Sequence, residues 1–197
     1  MPSQYNEDRI ITEFFGSRTG RFLDLGAYDG KTFSNVDSLI AKGWRGVMVE
    51  ASPKCFVQLQ ANVGSNKNVT LVCCAMDTSA ALTKFYDSAG AVASLDEGHK
   101  RKWASAQGDF MDIYIHTITP KGLLSKLPGP YHFLSIDLEG VSAHVLRLFP
   151  ELTVCGVDLL CIELSEEERL KVTPWIENNG YKFHACTEEN TFYRRVT

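Results

Sequence analysis

Asp24, Gly26, Gly30 and Glu50 are the residues whose types and spacing carry the most chemistry in this chain. Three of them lie in Arg21-Phe-Leu-Asp-Leu-Gly-Ala-Tyr-Asp-Gly30, and the fourth closes Gly46-Val-Met-Val-Glu50, twenty residues after Gly30. An apolar strand running into a glycine turn, followed by a second apolar strand that ends on a carboxylate, is the local pattern of a nucleotide pocket. The glycines let the backbone turn tightly and let a ligand come close, while the terminal acid can accept both ribose hydroxyls. A dinucleotide fingerprint laid over Gly26 would need glycine at positions 24 and 29, where the chain has Asp24 and Asp29. Two carboxylates beside a pyrophosphate repel it. S-adenosylmethionine instead brings a ribose, an ammonium and a sulfonium, so anions around the turn attract it. The residues therefore point to an adenosylmethionine pocket with Asp24 near the ammonium end, and they argue against a nicotinamide oxidoreductase.

A second set of acids stands further along. Tyr131-His-Phe-Leu-Ser-Ile-Asp-Leu-Glu-Gly140 is an apolar run closing on Asp137 and Glu139, and Leu159-Leu-Cys-Ile-Glu-Leu164 carries Glu163. Methyl transfer from a sulfonium needs an aligned nucleophile and, for a hydroxyl, a group to take its proton. Asp137 and Glu139 are the candidate bases, and strand alternation would set them on one face. With Glu163 they could also gather a divalent cation, but no dense carboxylate motif supports a metal and none is expected. His99, in Glu97-Gly-His-Lys-Arg-Lys102, reads as part of a solvated basic loop, with Trp103 either pinning that loop or stacking on an acceptor.

Elements of the right kind stand around these residues. Ile10, Ile11, Phe14 and Phe15 recur at helical spacing before Gly16. Strands are expected over 21–25, 46–50, 69–74, 131–137 and 159–164. A helix bearing Val36, Leu39 and Ile40 stops at Gly43, another opens at Ser52-Pro53, and a third follows the strand at 131–137 with Val145, Leu146 and Phe149 before Pro150. Ser165-Glu-Glu-Glu168 is a capping box opening a helix that Gly180 closes. Residues 181–185 and 191–196 form a closing hairpin. Between Ala75 and Pro120 the alternation breaks: 82–86 and 111–115 look like a hairpin, and the polar stretch 88–108 is a candidate lid loop.

Strands alternating with helices imply a mostly parallel sheet that binds its ligand at the carboxyl ends, where Asp24, Glu50, Ala75, Asp137 and Glu163 fall. The chain's 197 residues, 44% of them hydrophobic, suit one domain, 1–197, with an insert at about 76–118. A net charge of −4 with scattered Lys and Arg gives no footprint for nucleic acid. Six cysteines without C-x-x-C spacing read as reduced thiols, and a polar start with no long apolar run implies a cytoplasmic protein without a membrane span. The sequence does not fix the oligomeric state.

Three ordered stretches resemble the FkbM-type methyltransferases: Phe22 to Asn35, Gly43 to Pro53, and Phe133 to Gly140. Weaker echoes are Cys74-Ala75, Ser94-Leu95 and Thr117-Ile-Thr before Leu123-Leu124. The resemblance implies an α/β class I, Rossmann-like three-layer sandwich with a mostly parallel seven-stranded sheet and an antiparallel last strand. It implies S-adenosylmethionine as cofactor and methylation of an oxygen on a small molecule or sugar. By position, Asp24, Gly26, Ala27, Gly30, Asn35, Glu50, Ala51 and Ala75 would line the cofactor site. The chain departs from the family at Ser142, where a further acid often stands, so that acid's acceptor contact does not carry over. A binding module that keeps the fold but has lost turnover is the alternative, permitted by Ser142 and opposed by the intact Asp24, Gly26, Gly30 and Glu50.

Overall fold

A computed structural model describes residues 3–107, 109–149, 152 and 155–196. Its strands are β1 (Arg21–Leu25), β2 (Arg45–Glu50), β3 (Val69–Cys73), β4 (Ala75–Met76), β5 (Leu82–Asp87), β6 (Met111–Ile118), β7 (Phe133–Ile136), β8 (Leu159–Glu163), β9 (Tyr181–Cys186) and β10 (Asn190–Arg195). Its helices are α1 (Glu7–Phe15), α2 (Asp37–Ala41), α3 (Pro53–Val63), α4 (Glu97–Gln107), α5 (Pro120–Lys126), α6 (Ser142–Leu146) and α7 (Glu166–Asn178).

The main sheet has seven strands in the order β3-β2-β1-β7-β8-β10-β9. From β3 to β8 all pairings are parallel, and β10 runs antiparallel to both of its neighbours. Side chains alternate across the pleat, which sorts the apolar residues of each strand into two cores. Leu23, Leu25, Val47, Val49, Leu134, Ile136, Leu160 and Ile162 face one core together with Leu123, Val145, Leu146, Val172 and Ile176 of α5, α6 and α7. Phe22, Met48, Phe133, Leu159 and Cys161 face the other with Ile11, Leu39 and Leu59 of α1, α2 and α3. The mostly parallel sheet expected from the alternation of elements is present, and helices on both of its faces give the three-layer sandwich that the resemblance implies.

Local signals explain most helix starts. Ser52 accepts the Cys55 amide ahead of Pro53, and both halves of the Ser165/Glu168 capping box are made. Thr119-Pro120 uses the same device, with Thr119 accepting the Gly122 amide, and so opens α5 in a stretch where no element is expected from the sequence. Among the described residues no helix is long and apolar enough to cross a membrane.

The insert departs most from expectation. The hairpin is present, with Leu82 opposite His116 and Asp87 opposite Met111, but β6 also pairs in parallel with β4, which makes a second sheet of order β4-β6-β5. The lid region is not one loop. Residues 97–107 are helical, and Asp96 caps the start by accepting the Gly98 amide. The polar surface and Gly98 hid that helix, because α4 buries little and so shows no apolar periodicity. Gly108 and Pro150 lie outside the described residues.

Candidate functional site

Register and pleat place one polar residue from each of three adjacent strands in a row. Asp24 of β1 pairs with Ser135 of β7, and Ser135 with Cys161 of β8, all on the face covered by α1, α2 and α3. Asn35, buried in the connection after β1, donates to Ser135 Oγ at 3.2 Å. The Ser135 hydroxyl is thereby left to donate to Asp24, which lowers the Asp24 pKa, but burial outweighs it and pushes the carboxyl up to about 7. Nothing in the notation of apolar strands marks this row. Its only sequence signal is a polar residue at the same pleat position in each strand.

The glycine turn after β1 is held against the neighbouring strands. Gly26 and Ala27 both donate to the Val49 carbonyl at 3.0 Å. Gly26 has φ +91°, and a Cβ there would stand 1.7 Å from the Asp137 carbonyl oxygen, so both backbone conformation and space demand glycine. Glu50, 8% exposed, accepts the Tyr28 amide at 2.8 Å through one oxygen and the Ser52 amide at 2.7 Å through the other. Burial nevertheless raises its pKa to about 7, because desolvation exceeds what those amides return. Each oxygen keeps a lone pair for a ribose hydroxyl.

The second acid set meets the first at the carboxyl ends of β7 and β8. A cavity of about 270 Å³ opens there, lined by Asp24, Glu50 and Asn35 together with Asp137, Glu139 and Glu163. Burial and the neighbouring Glu139 raise the Asp137 pKa to about 7, and burial with Asp137 raises Glu163 further. Strand alternation does not explain the Asp137/Glu139 pair, since β7 ends at Ile136 and Glu139 sits in a left-handed turn at φ +47°. The insert closes the outer wall. Ser94 donates to the Glu139 carbonyl at 2.6 Å, and Trp103 of α4 lines the cavity with its Nε1 buried and without a hydrogen-bond partner. His99 is no solvated loop residue: its imidazole is 9% exposed and Nε2 lies 3.0 Å from Glu139 Oε2.

Of the residues expected at the site, Asp24, Gly26, Ala27, Asn35, Glu50, Ala51, Ala75, Asp137 and Glu139 all line this one cavity. Gly30 does not. Its φ of +74° and a would-be Cβ 2.5 Å from Leu59 show that it serves the packing of the turn on α3. Asp29 also turns away, accepting the Lys31 and Thr32 amides at 2.8 and 2.7 Å, so only Asp24 places an anion at the turn's cavity side. Ser142 is buried and accepts the Leu138 amide at 2.9 Å, which fixes the loop carrying Glu139. Sequence reasoning missed Ser135, the Tyr28 amide and Gln4, which reaches the cavity from the segment before α1.

A sheet of this order with β10 reversed, and a polar cavity at the carboxyl ends of β1, β2 and β7, define the class I methyltransferase fold. Solved structures agree. A putative caffeoyl-CoA O-methyltransferase from Staphylococcus aureus aligns with a TM-score of 0.56 at 8% identity, over 95% of this chain and 82% of that one. Precorrin-6y C5,15-methyltransferase from Geobacter metallireducens aligns at 0.51 and 12%, over 96% and 87%. Methyltransferase FkbM from Methylobacillus flagellatus aligns at 0.55 and 16% over 89% of this chain, which spans 43% of that larger protein. At such identities these likenesses carry the fold alone. The family rests on sequence: the model of the methyltransferase FkbM domain matches residues 24–183, and the chain belongs to that family of S-adenosylmethionine-dependent methyltransferases. The search of curated proteins gave no match.

Proposed function

We propose that this protein methylates an oxygen of a small molecule or saccharide, with S-adenosylmethionine as donor. The observation that carries the reading is the convergence of two acid sets on one cavity: Asp24 and Glu50 of β1 and β2, and Asp137 and Glu139 in the chain that follows β7. The residues fit the donor's chemistry. Glu50 has lone pairs free for ribose hydroxyls, and Asp24 offers a buried anion to an ammonium. Gly26 keeps the turn's backbone close, while Ala27, Asn35, Ala51 and Ala75 shape the walls of the same half. When bound, S-adenosylmethionine supplies a methyl carbon whose bond to positively charged sulfur breaks with the electron pair left on sulfur.

The chain's own work is alignment, exclusion of water and removal of a proton. Trp103 and the 90–95 segment cover the outer half of the cavity, which limits water access. Asp137 or Glu139 takes the proton of the acceptor hydroxyl as its oxygen bonds to the methyl carbon. Acid lining on this side disfavours a phosphate-rich acceptor, which is why a small hydroxylated molecule rather than a nucleic acid is proposed.

Calorimetric titration of the purified chain with S-adenosylmethionine and S-adenosylhomocysteine, with NAD for comparison, tests the donor half. Saturable binding of both sulfur nucleotides, weakened at least about tenfold by Asp24→Ala, is expected. Binding of NAD alone, or of none, overturns it. For the acceptor half, mass spectrometry of products from a panel of hydroxylated metabolites and sugars should show methyl on oxygen; methyl found on carbon or nitrogen instead would refute that part.

A further inference from the structure

Asp137, Glu139 and Glu163 each place one carboxylate oxygen within 4.8 Å of the others. Oxygen ligands around a small divalent cation stand about 3–3.4 Å apart when adjacent and at most about 4.2–4.8 Å apart when opposite, given metal–oxygen distances of about 2.1–2.4 Å. Three oxygens within that limit can share one ion. Among the described residues no Lys or Arg pairs with any of the three acids, although Lys and Arg pair with carboxylates elsewhere in the chain.

His99 supplies an independent observation. Its ring is 9% exposed, its Nε2 makes no hydrogen bond, and yet that nitrogen stands 3.0 Å from Glu139 Oε2. Buried polar atoms are nearly always satisfied, and a ring nitrogen beside a carboxylate with no proton aligned between them calls for a further group that suits both. A cation on Glu139 whose bound water reaches Nε2 is such a group, and outer partners of this kind commonly orient metal-ligating carboxylates.

We infer that Asp137, Glu139 and Glu163 form a divalent-cation site of the magnesium or manganese type, with His99 as a positioning residue for Glu139. An all-oxygen donor set suits these hard ions rather than zinc or copper. Three acids with no Lys or Arg beside them are also better neutralised by two positive charges than by the single charge of a substrate ammonium. The three acids line the same cavity as Trp103, in the part we assign to the acceptor. There the ion would bind the acceptor hydroxyl and lower its pKa, and the proton would pass to the Asp137 or Glu139 oxygen that is not on the ion as the acceptor oxygen bonds to the methyl carbon. This role rests on the oxygen-methylation reading; the site itself does not.

Titration of the full chain with Mn²⁺, following the electron paramagnetic resonance signal of the free aquo ion, tests the site without an acceptor. One saturable site is expected, displaced by Mg²⁺ and weakened more than about tenfold by Glu163→Gln. Glu167→Gln, at an exposed acid of α7 that pairs with Lys171, should leave the affinity unchanged. His99→Ala should weaken binding about tenfold, while His99→Gln, which keeps a polar nitrogen, restores most of the loss. Circular dichroism and adenosylmethionine titration of each variant separate loss of the site from loss of the fold. Absence of saturable Mn²⁺ binding, indifference to Glu163→Gln, or equal displacement by methylammonium overturns the inference. If Mn²⁺ binds and S-adenosylmethionine does not, the methyltransferase reading falls and this site stands; the reverse result removes the site alone.

Discussion

The cavity's inner wall is backbone turned against backbone, whereas its outer wall is a polar helix resting on a small sheet. On the inner side, Gly26 and Ala27 hang from Val49, Asp137 donates to the Leu25 carbonyl at 2.9 Å, and Asn35, Ser135 and Asp24 join under two large cores. On the outer side, the apolar cluster consists of Ala75, Phe85 and Ile115 with a few partly buried neighbours. Helix α4 and the segment before it are held by Ser94 to the Glu139 carbonyl and by Lys100 to Asp112, with His99 Nε2 3.0 Å from Glu139 Oε2. The donor residues and the acids at the ends of β7 and β8 are thus fixed by the main sheet, and only the covering wall of α4 and the 90–95 segment is held by a handful of polar contacts. Such an arrangement allows the outer wall to open without disturbing the inner one, because regions with few buried apolar contacts open at lower free energy.

Gly26→Ala should produce the largest effect, because it attacks the junction of both walls. The new methyl would overlap the Asp137 carbonyl, and φ +91° disfavours any side chain, so a loss of about 3–5 kcal/mol is expected. Thermal unfolding should show a large drop in melting temperature together with loss of adenosylmethionine binding. A variant that binds and melts like the parent would show that the turn is not the rigid element described above.

Ser94→Ala should separate the walls. It removes a hydrogen bond to the Glu139 carbonyl, a loss of about 1–2 kcal/mol confined to the insert. Amide exchange is expected to quicken about tenfold in α4 and the 90–95 segment, while β1 and β7 keep their protection and donor affinity stays within about twofold. Uniform quickening through β1 and β7 would contradict independent walls.

The two sides should also respond to pH with opposite sign. Burial raises Glu50 from its usual 4.5 to about 7, so the folded chain holds a proton that the unfolded chain releases in between. Its contribution is fully present below about pH 4.5 and is lost as pH rises through about 7, so the ligand-free protein should melt lower at pH 8 than at pH 5. Glu50→Gln should reduce that fall without abolishing it, because burial raises Asp24 and Asp137 to about 7 as well. On the outer side, Lys100 and Lys84 hold Asp112 below its usual range, and its smaller contribution is present above about pH 4 and lost as pH falls through the depressed value. A melting temperature that rises steadily from pH 5 to 8, unaffected by Glu50→Gln, would refute the assignment.

The same contrast explains what could be read in the chain. Strands with apolar alternation, the Ser52-Pro53 start and the Ser165 capping box are short-range signals, and each led to the right element. Asp24 and Glu50 were legible because a strand end and a following turn share a few consecutive residues. Asn35 and Ala75 reached the cavity as the family pattern implied, but Ser135 was invisible: its partner lies a hundred positions away, and only register brings them together. Gly30 and Asp29 misled for the opposite reason, since a turn spends such residues on its own geometry as readily as on a ligand. In the insert, α4 has no buried stripe, and His99 acquires its surroundings from Glu139 forty residues on. Signals that depend on long-range docking of polar residues leave no period in the sequence.

The smallest effect should come from Lys100→Ala. Lys100 Nζ lies 2.6 Å from Asp112 and 4.7 Å from the Tyr86 ring centroid, so it links α4 to both strands of the hairpin. Its loss is cushioned, because Lys84 reaches the other Asp112 oxygen at 2.8 Å and also sits 5.2 Å over Tyr86. Largely exposed ion pairs add little to global stability, and the melting temperature should move by about a degree or less. Exchange in α4 should still rise measurably, by about twofold, because the helix has few other ties. Salt is the sharper probe: raising ionic strength should erase the difference between parent and variant if the link is electrostatic. A difference that survives high salt would mean that the aliphatic stem of Lys100 holds α4 by packing on Tyr86, and that the outer wall is less purely polar than its ion pairs imply.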